Sequence, residues 1–153
     1  MIFVTVGTHH DGFARMLGAV ESLGNRDLVV QYGNGEPPAN ARIAEPFMPF
    51  PRMLEYFDAA DQVVTHAGVG SILLAIRHGH QPIVVPRQHK LGEHVDDHQV
   101  DLSRRLEATG RVRVVWEDDD LAEALASAPA RGAHAELPTT GLHAAVRDAL
   151  HGR

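Results

Sequence analysis

The chain contains no cysteine, so neither disulfides nor thiolate chemistry enters its account. Aromatic residues are scarce, with one Trp, two Tyr and five Phe in 153 positions, so any cluster of them carries information. Positive charge is not in excess. Fourteen Lys and Arg against 20 Asp and Glu give a formal net charge of -6 and no basic footprint for nucleic acid. No apolar run approaches the roughly 20 residues that a bilayer span requires. Met1 leads directly into Ile-Phe-Val-Thr-Val-Gly, without the charged n-region or cleavage site of a secretory signal. These absences set the expectation of a cytoplasmic chain with no membrane span of its own.

Familiar nucleotide motifs are missing as well. Gly68-Val69-Gly70 is followed by Ser71, Ile72 and Leu73, so the third glycine of G-x-G-x-x-G is absent. The turn Gly7-Thr8-His9-His10-Asp11-Gly12 also lacks that spacing. Tyr32 and Gly33 stand where a ribose-gripping acid would end the second strand, and no G-x-x-x-x-G-K-[ST] occurs. An NAD-linked oxidoreductase is therefore the weakest of the readings considered.

What is present is a regular alternation of strand and helix patterns. Ile2 to Val6 is a β-branched apolar run closed by Gly7, the look of a central parallel strand. Phe13, Met16, Leu17, Val20 and Leu23 recur at helical spacing before Gly24-Asn25. Further strands are expected at Leu28 to Tyr32, Arg42 to Phe47, Gln62 to Thr65, Pro82 to Val85 and Val112 to Trp116. Helices are expected at Pro51 to Ala60, from Ser71 onward, at Val100 to Ala108, from Asp118-Asp120 through Leu125, and at Thr140 to Leu150. Ala128 to Pro138 reads as a loop. The pattern predicts one α/β domain over residues 1–153: a Rossmann-like, doubly wound, mainly parallel sheet of about six strands with helices on both faces. The link 33–41 is too short for a helical crossover, so either that connection is irregular or one of its flanking strands is misplaced. Segment Glu45 to Phe57 gathers Phe47, Phe50, Tyr56 and Phe57, readable as a helix clamped on the sheet or as a docking surface for another subunit.

The stretch Asp61 to Gln99 holds the chemistry. A strand ending in the turn His66 to Gly70 and running into a helix makes an anion site, because the first helical amides are unpaired and the dipole favours negative charge. Gly68 and Gly70 allow close backbone approach, and Ser71 can cap the helix or donate to the anion. Gly7, His66 and Pro86 all fall at carboxyl ends of strands, the rim where such sheets bind ligands. His89, His94 and His98 do not make a persuasive metal site without Cys or an H-E-x-x-H helix, so no metal and no cofactor are expected.

The run His66-Ala67-Gly68-Val69-Gly70-Ser71, then Ala75, Gly79, Pro82, Pro86-Arg87 and Asp97-His98-Gln99, resembles the donor-binding signature of GT-B glycosyltransferases. With the opening Ile2-Phe3-Val4-Thr5-Val6-Gly7-Thr8-His9, the resemblance covers roughly Ile2 to Ala108. It is to the glycosyltransferase family-28 C-terminal domain, one half of a GT-B fold, and within it to the small subunits of split UDP-sugar transferases. The resemblance implies that His66, Ala67, Gly68, Gly70 and Ser71 hold the diphosphate of a UDP-sugar. Gly7, Thr8 and His9 would lie opposite, and Arg87 would add positive charge near the diphosphate. Asp97, His98 and Gln99 would reach donor-sugar hydroxyls, with Glu93 and His94 in the same loop. Leu74 replaces an acid that related enzymes place on the helix to grip the ribose, so backbone or another side chain must do so. Stabilising the leaving diphosphate needs no protein nucleophile. An inverting displacement needs a base, for which His9 is this chain's candidate. The implied partners are a membrane-anchored acceptor-binding subunit and a lipid-linked or polysaccharide acceptor, which would bring the chain to the inner face of a membrane. The alternative is a nucleotide-sugar-binding module that senses or presents its ligand without catalysis.

Overall fold

The computed structural model describes residues 1–129, 131–132 and 146–147. Six strands form a single all-parallel sheet: β1 (Ile2–Thr5), β2 (Leu28–Gln31), β3 (Ile43–Glu45), β4 (Gln62–His66), β5 (Ile83–Val85) and β6 (Arg113–Val114). Their order is β3-β2-β1-β4-β5-β6. The chain therefore starts in the middle, winds to one edge, returns and winds to the other. The reversal falls between β1 and β4, whose carboxyl ends diverge and leave a crevice. Register is tight there, with Thr5 opposite Thr65 and Val4 opposite Val64. Gly7 and the turn after His66 consequently face one another across that crevice.

Among the described residues five α-helices cover the sheet: α1 (Ala14–Glu21), α2 (Phe50–Ala59), α3 (Val69–Arg77), α4 (His98–Glu107) and α5 (Leu121–Ser127). Alternate strand residues point to opposite faces, and the packing follows that period. Val4, Val30, Val64 and Ile83 pack with Phe13, Met16 and Val20 of the α1 segment and with Leu121 and Leu125 of α5. Phe3, Val29 and Val63 pack instead on Phe57 of α2 and Ala75 of α3. Val84 and Val114 meet Ile72, Leu102 and Leu106, from α3 and α4. The doubly wound arrangement is thus built by strands that are apolar on both sides, which is why their sequences are runs rather than alternations. Phe3 and Phe57 meet edge to face at 5.1 Å, fixing α2 over the sheet centre.

The structure refines several expected boundaries. α3 starts at Val69 rather than Ser71, with Gly68 as its N-cap and no side-chain cap bond. α2 begins at Phe50, directly after Pro49. Asp120 caps α5 as expected of the acidic run, accepting from the Ala122 N–H at 2.9 Å. The connection between β2 and β3 is the irregular one: β3 pairs in parallel with β2 although residues 32–42 form no helix. Of the expected helix at Thr140 to Leu150 only Val146 and Arg147 are described, both helical, and most of the loop at Ala128 to Pro138 lies outside the described residues. No helix among the described residues is long and apolar enough to cross a membrane.

Candidate functional site

At the crevice between β1 and β4 lies an open cavity of about 410 Å³. Gly7, Thr8, His66, Gly68, Gly70 and Ser71 form one wall, and Phe47, Met48, Phe50 and Met53 form another, with Gln31 between them. The first wall is mostly backbone. Because Gly68 caps α3 without a side-chain bond, the opening amides of that helix are left for whatever enters the cavity. Ser71 is the third residue of the helix and lines the cavity instead of capping it. The second wall is apolar and partly open to solvent, Phe50 being 60% exposed and Phe47 45%. A cavity with amide donors on one side and large apolar side chains on the other suits an amphipathic ligand with an anionic end and a flat, weakly polar end.

Glycine is required at two of these positions by one side chain. The His66 ring lies under the crevice so closely that a Cβ built on Gly7 would stand 2.4 Å from its Nε2. On Gly68 it would stand 2.3 Å from Cε1. Gly7 also adopts φ +77°, which side-chain-bearing residues rarely accept. Gly70 differs, since a Cβ there meets nothing within 4 Å and would project into open space. His66 is neutral over the ordinary range, its pKa pushed down to about 4 chiefly by burial, then by the charge of Arg87 and by His9. Its Nδ1 is buried and has no hydrogen-bond partner among the described residues.

Gln31 was not visible as a site residue in the sequence, yet it joins the two walls. It closes β2, is 2% exposed, and uses both ends of its amide. Its Oε1 accepts from Thr5 Oγ1 at 2.5 Å and from the Gly7 N–H at 3.1 Å. Its Nε2 donates to Gly7 O at 2.9 Å and to Pro46 O at 2.7 Å. One side chain thereby fixes the glycine turn and the start of the aromatic segment relative to each other. The only signal in the sequence was a polar residue ending a buried run, Leu28-Val29-Val30-Gln31.

The remaining expected residues are not brought into the cavity. Ala67 is buried in the packing beneath α3. Arg87 is 1% exposed and sits over the Phe13 ring at 4.5 Å. Its guanidinium donates to Asp11 O at 3.0 Å, Glu93 O at 3.2 Å and Gly12 O at 3.3 Å. It therefore holds loops together and reaches the crevice only through its field. Gln99 is likewise buried, its Oε1 accepting from the Arg87 N–H at 3.0 Å, so it braces the end of β5 rather than presenting an amide at the rim. Glu93 pairs with Arg15, Nε to Oε2 at 2.8 Å, and also accepts from Gln88 N–H. Asp97 accepts from the His89 N–H, and the His98 N–H donates to Asp96. His94 and His9 stand together at the outer rim, ring centres 5.2 Å apart, next to Thr8. Burial, assisted by Arg87, lowers the pKa of His9 and favours its neutral form.

Comparison with known proteins fits this geometry. The model of the glycosyltransferase family 28 C-terminal domain matches residues 1–137. A human protein named UDP-N-acetylglucosamine transferase subunit ALG13 is 31% identical over 128 residues, covering 72% of this chain and 10% of its own length. The protein of that name from Eremothecium gossypii is 44% identical over 69 residues, 44% of this chain and 32% of its own. The chain thus spans a minor part of these relatives. Among solved structures, the glycosyltransferase SnogD from Streptomyces nogalater superposes with a TM-score of 0.51 at 23% identity, over 97% of this chain and 36% of that one. A glycotransferase of kitacinnamycin gives 0.54 at 21% identity, over 97% and 39%. At such identities these two speak to the fold, a Rossmann-like half of the GT-B kind.

Proposed function

Since the chain belongs to the glycosyltransferase family 28 C-terminal domain family, we propose that its cavity binds a UDP-sugar and that the chain is the donor-binding subunit of an inverting glycosyltransferase. The observation that carries this is the pairing of walls across the β1–β4 crevice. The open amides of α3 and the backbone at Gly7 suit a diphosphate, while Phe47, Met48, Phe50 and Met53 suit the flat face of a uracil. No acid stands on α3 between Ser71 and Ile76, so the ribose would be held by backbone near Pro46 and the helix start.

In the reaction the acceptor hydroxyl oxygen bonds to the anomeric carbon as the bond to the β-phosphate oxygen breaks, and the electron pair leaves with UDP. The helix dipole, the amides and the buried charge of Arg87 stabilise that leaving group electrostatically. The acceptor's proton passes to a base, for which neutral His9 at the rim is this chain's candidate. A single sheet domain leaves its crevice open on one side. We place a second, acceptor-binding subunit there, membrane-anchored and carrying a lipid-linked or polysaccharide acceptor, with this chain held at the cytoplasmic face through it. The subunit wording in the relatives' names supports a partner.

Calorimetric titration of the chain with UDP, UDP-GlcNAc, UDP-glucose and UDP-glucuronate tests the donor site. Saturable binding of UDP and a preference among the sugars are expected. Absence of binding by all four ligands overturns the reading.

A further inference from the structure

His89, His94 and His98, without Cys or an H-E-x-x-H helix, make no persuasive metal site in the sequence, but the structure brings together a different set. In the loop after β1, His9, His10 and Asp11 each offer a donor atom, and these three atoms lie within 4.8 Å of one another. His10 Nε2 is 3.5 Å from Asp11 Oδ2, and His9 Nδ1 is 4.0 Å from the same oxygen. A tetrahedral ion that holds its ligands at about 2.0–2.2 Å sets neighbouring donors about 3.3–3.6 Å apart. One pair already has that spacing, and rotation of two exposed side chains closes the others.

The loop is held in shape for the purpose. Asn34 Nδ2 donates to His10 O at 2.8 Å, and the Arg87 guanidinium takes the carbonyls of Asp11 and Gly12. The carbonyls of three consecutive residues are thus held by side chains from other segments. Pre-ordering of this kind is what separates a chelating loop from scattered surface histidines. His9 Nδ1 accepts the Asp11 N–H at 3.1 Å, so an ion taken on that nitrogen displaces this hydrogen bond.

We propose that His9, His10 and Asp11 bind a divalent transition-metal ion of the zinc class, with one coordination position open beside the cavity that Thr8 lines. Two neutral imidazoles and one carboxylate are a ligand set such an ion accepts, and three protein ligands leave the fourth position free. The nearby charge of Arg87 opposes a cation, so the Asp11 carboxylate matters more than a neutral ligand would. An ion on Nδ1 also uses the only lone pair of neutral His9, so ion binding and proton acceptance by His9 exclude each other.

The test is direct titration of the untagged full chain with Zn²⁺ by calorimetry and with Co²⁺ by visible absorption, needing no activity measurement. One ion per chain is expected, with cobalt bands of four-coordinate intensity. His10→Ala should weaken binding about tenfold or more, and Asp11→Asn further still. His78→Ala, which removes a histidine near Asp58 on another part of the surface, should change nothing. His10 has an 81% exposed side chain, so its loss leaves the fold intact. No stoichiometric ion, or equal losses in His78→Ala and His10→Ala, overturns the proposal. Neither result bears on UDP binding.

Discussion

Gln31 grips Gly7 at both ends, accepting its N–H at 3.1 Å and donating to its carbonyl at 2.9 Å. The same amide reaches Pro46 O, so a residue of β2 sets the distance between the two walls of the cavity. Gln31→Leu keeps the volume but leaves Gly7 O without this donor and the buried Thr5 hydroxyl without its acceptor, and an unpaired buried polar group costs about 1–3 kcal/mol. A loss of about 3 kcal/mol in unfolding free energy is expected from urea titration. UDP affinity should fall by more than the fraction unfolded explains, because the walls lose their common anchor.

The three glycines of the site should separate by mechanism. Gly7→Ala and Gly68→Ala each drive a methyl into the His66 ring, and Gly7→Ala adds left-handed strain of about 1 kcal/mol. Both should lower the thermal midpoint by several degrees. Gly70→Val should leave it nearly unchanged, since nothing stands within 4 Å of the new Cβ. It should nonetheless abolish UDP binding, as the added side chain enters the cavity. Paired melting curves and calorimetry distinguish the two classes.

Stability should rise with pH across the range from about 4 to 6.5. Folded His66 titrates at about 4, whereas in the unfolded chain it titrates near its ordinary value of about 6.5. Between those values the unfolded chain takes up a proton that the folded chain refuses, so acid favours unfolding. The contribution is full above about pH 6.5 and is lost as the pH falls towards 4, about 3 kcal/mol in all. His66→Gln should flatten this part of the stability–pH curve measured by denaturant titration. An unchanged slope would show that His66 is protonated in the fold.

Arg87 acts at a distance as well as through its bonds. Its charge, second to burial, holds down the pKa of both His66 and His9. Arg87→Met should therefore raise both, as read from imidazole NMR shifts against pH. It should also loosen the loops at Asp11-Gly12 and Glu93, whose carbonyls lose their donor.

Much of the frame was readable from the chain because its strands are buried on both sides. Runs such as Ile2-Phe3-Val4 and Ile83-Val84-Val85 need no partner to be recognised. The turn at His66 to Gly70 was equally plain, since a strand, two glycines and a helix in succession leave few alternatives. The apolar wall was harder. Phe47 and Phe50 were noticed as a cluster, but whether an aromatic caps a sheet, meets a partner or lines a cavity depends on where β3 ends in space. Arg87 and Gln99 look like rim residues by position, yet both are buried, Arg87 donating to the carbonyls of Asp11, Gly12 and Glu93 and Gln99 accepting from the Arg87 N–H. Nothing local in Gln31 announces that two segments distant in sequence converge on its amide.

The missing helix between β2 and β3 has a dynamic consequence. β3 is the one strand whose residues are all half-buried or exposed, three residues long at the sheet edge. Hydrogen exchange should therefore begin there, while the amides of β1 and β4 stay protected longest. Pro46, Phe47 and Met48 follow β3 directly, so the aromatic wall rides on the part of the sheet that opens most readily. The glycine wall, rooted in the two central strands, stays put. The cavity can thus widen from one side only, leaving the backbone at Gly7 and Gly68 in place.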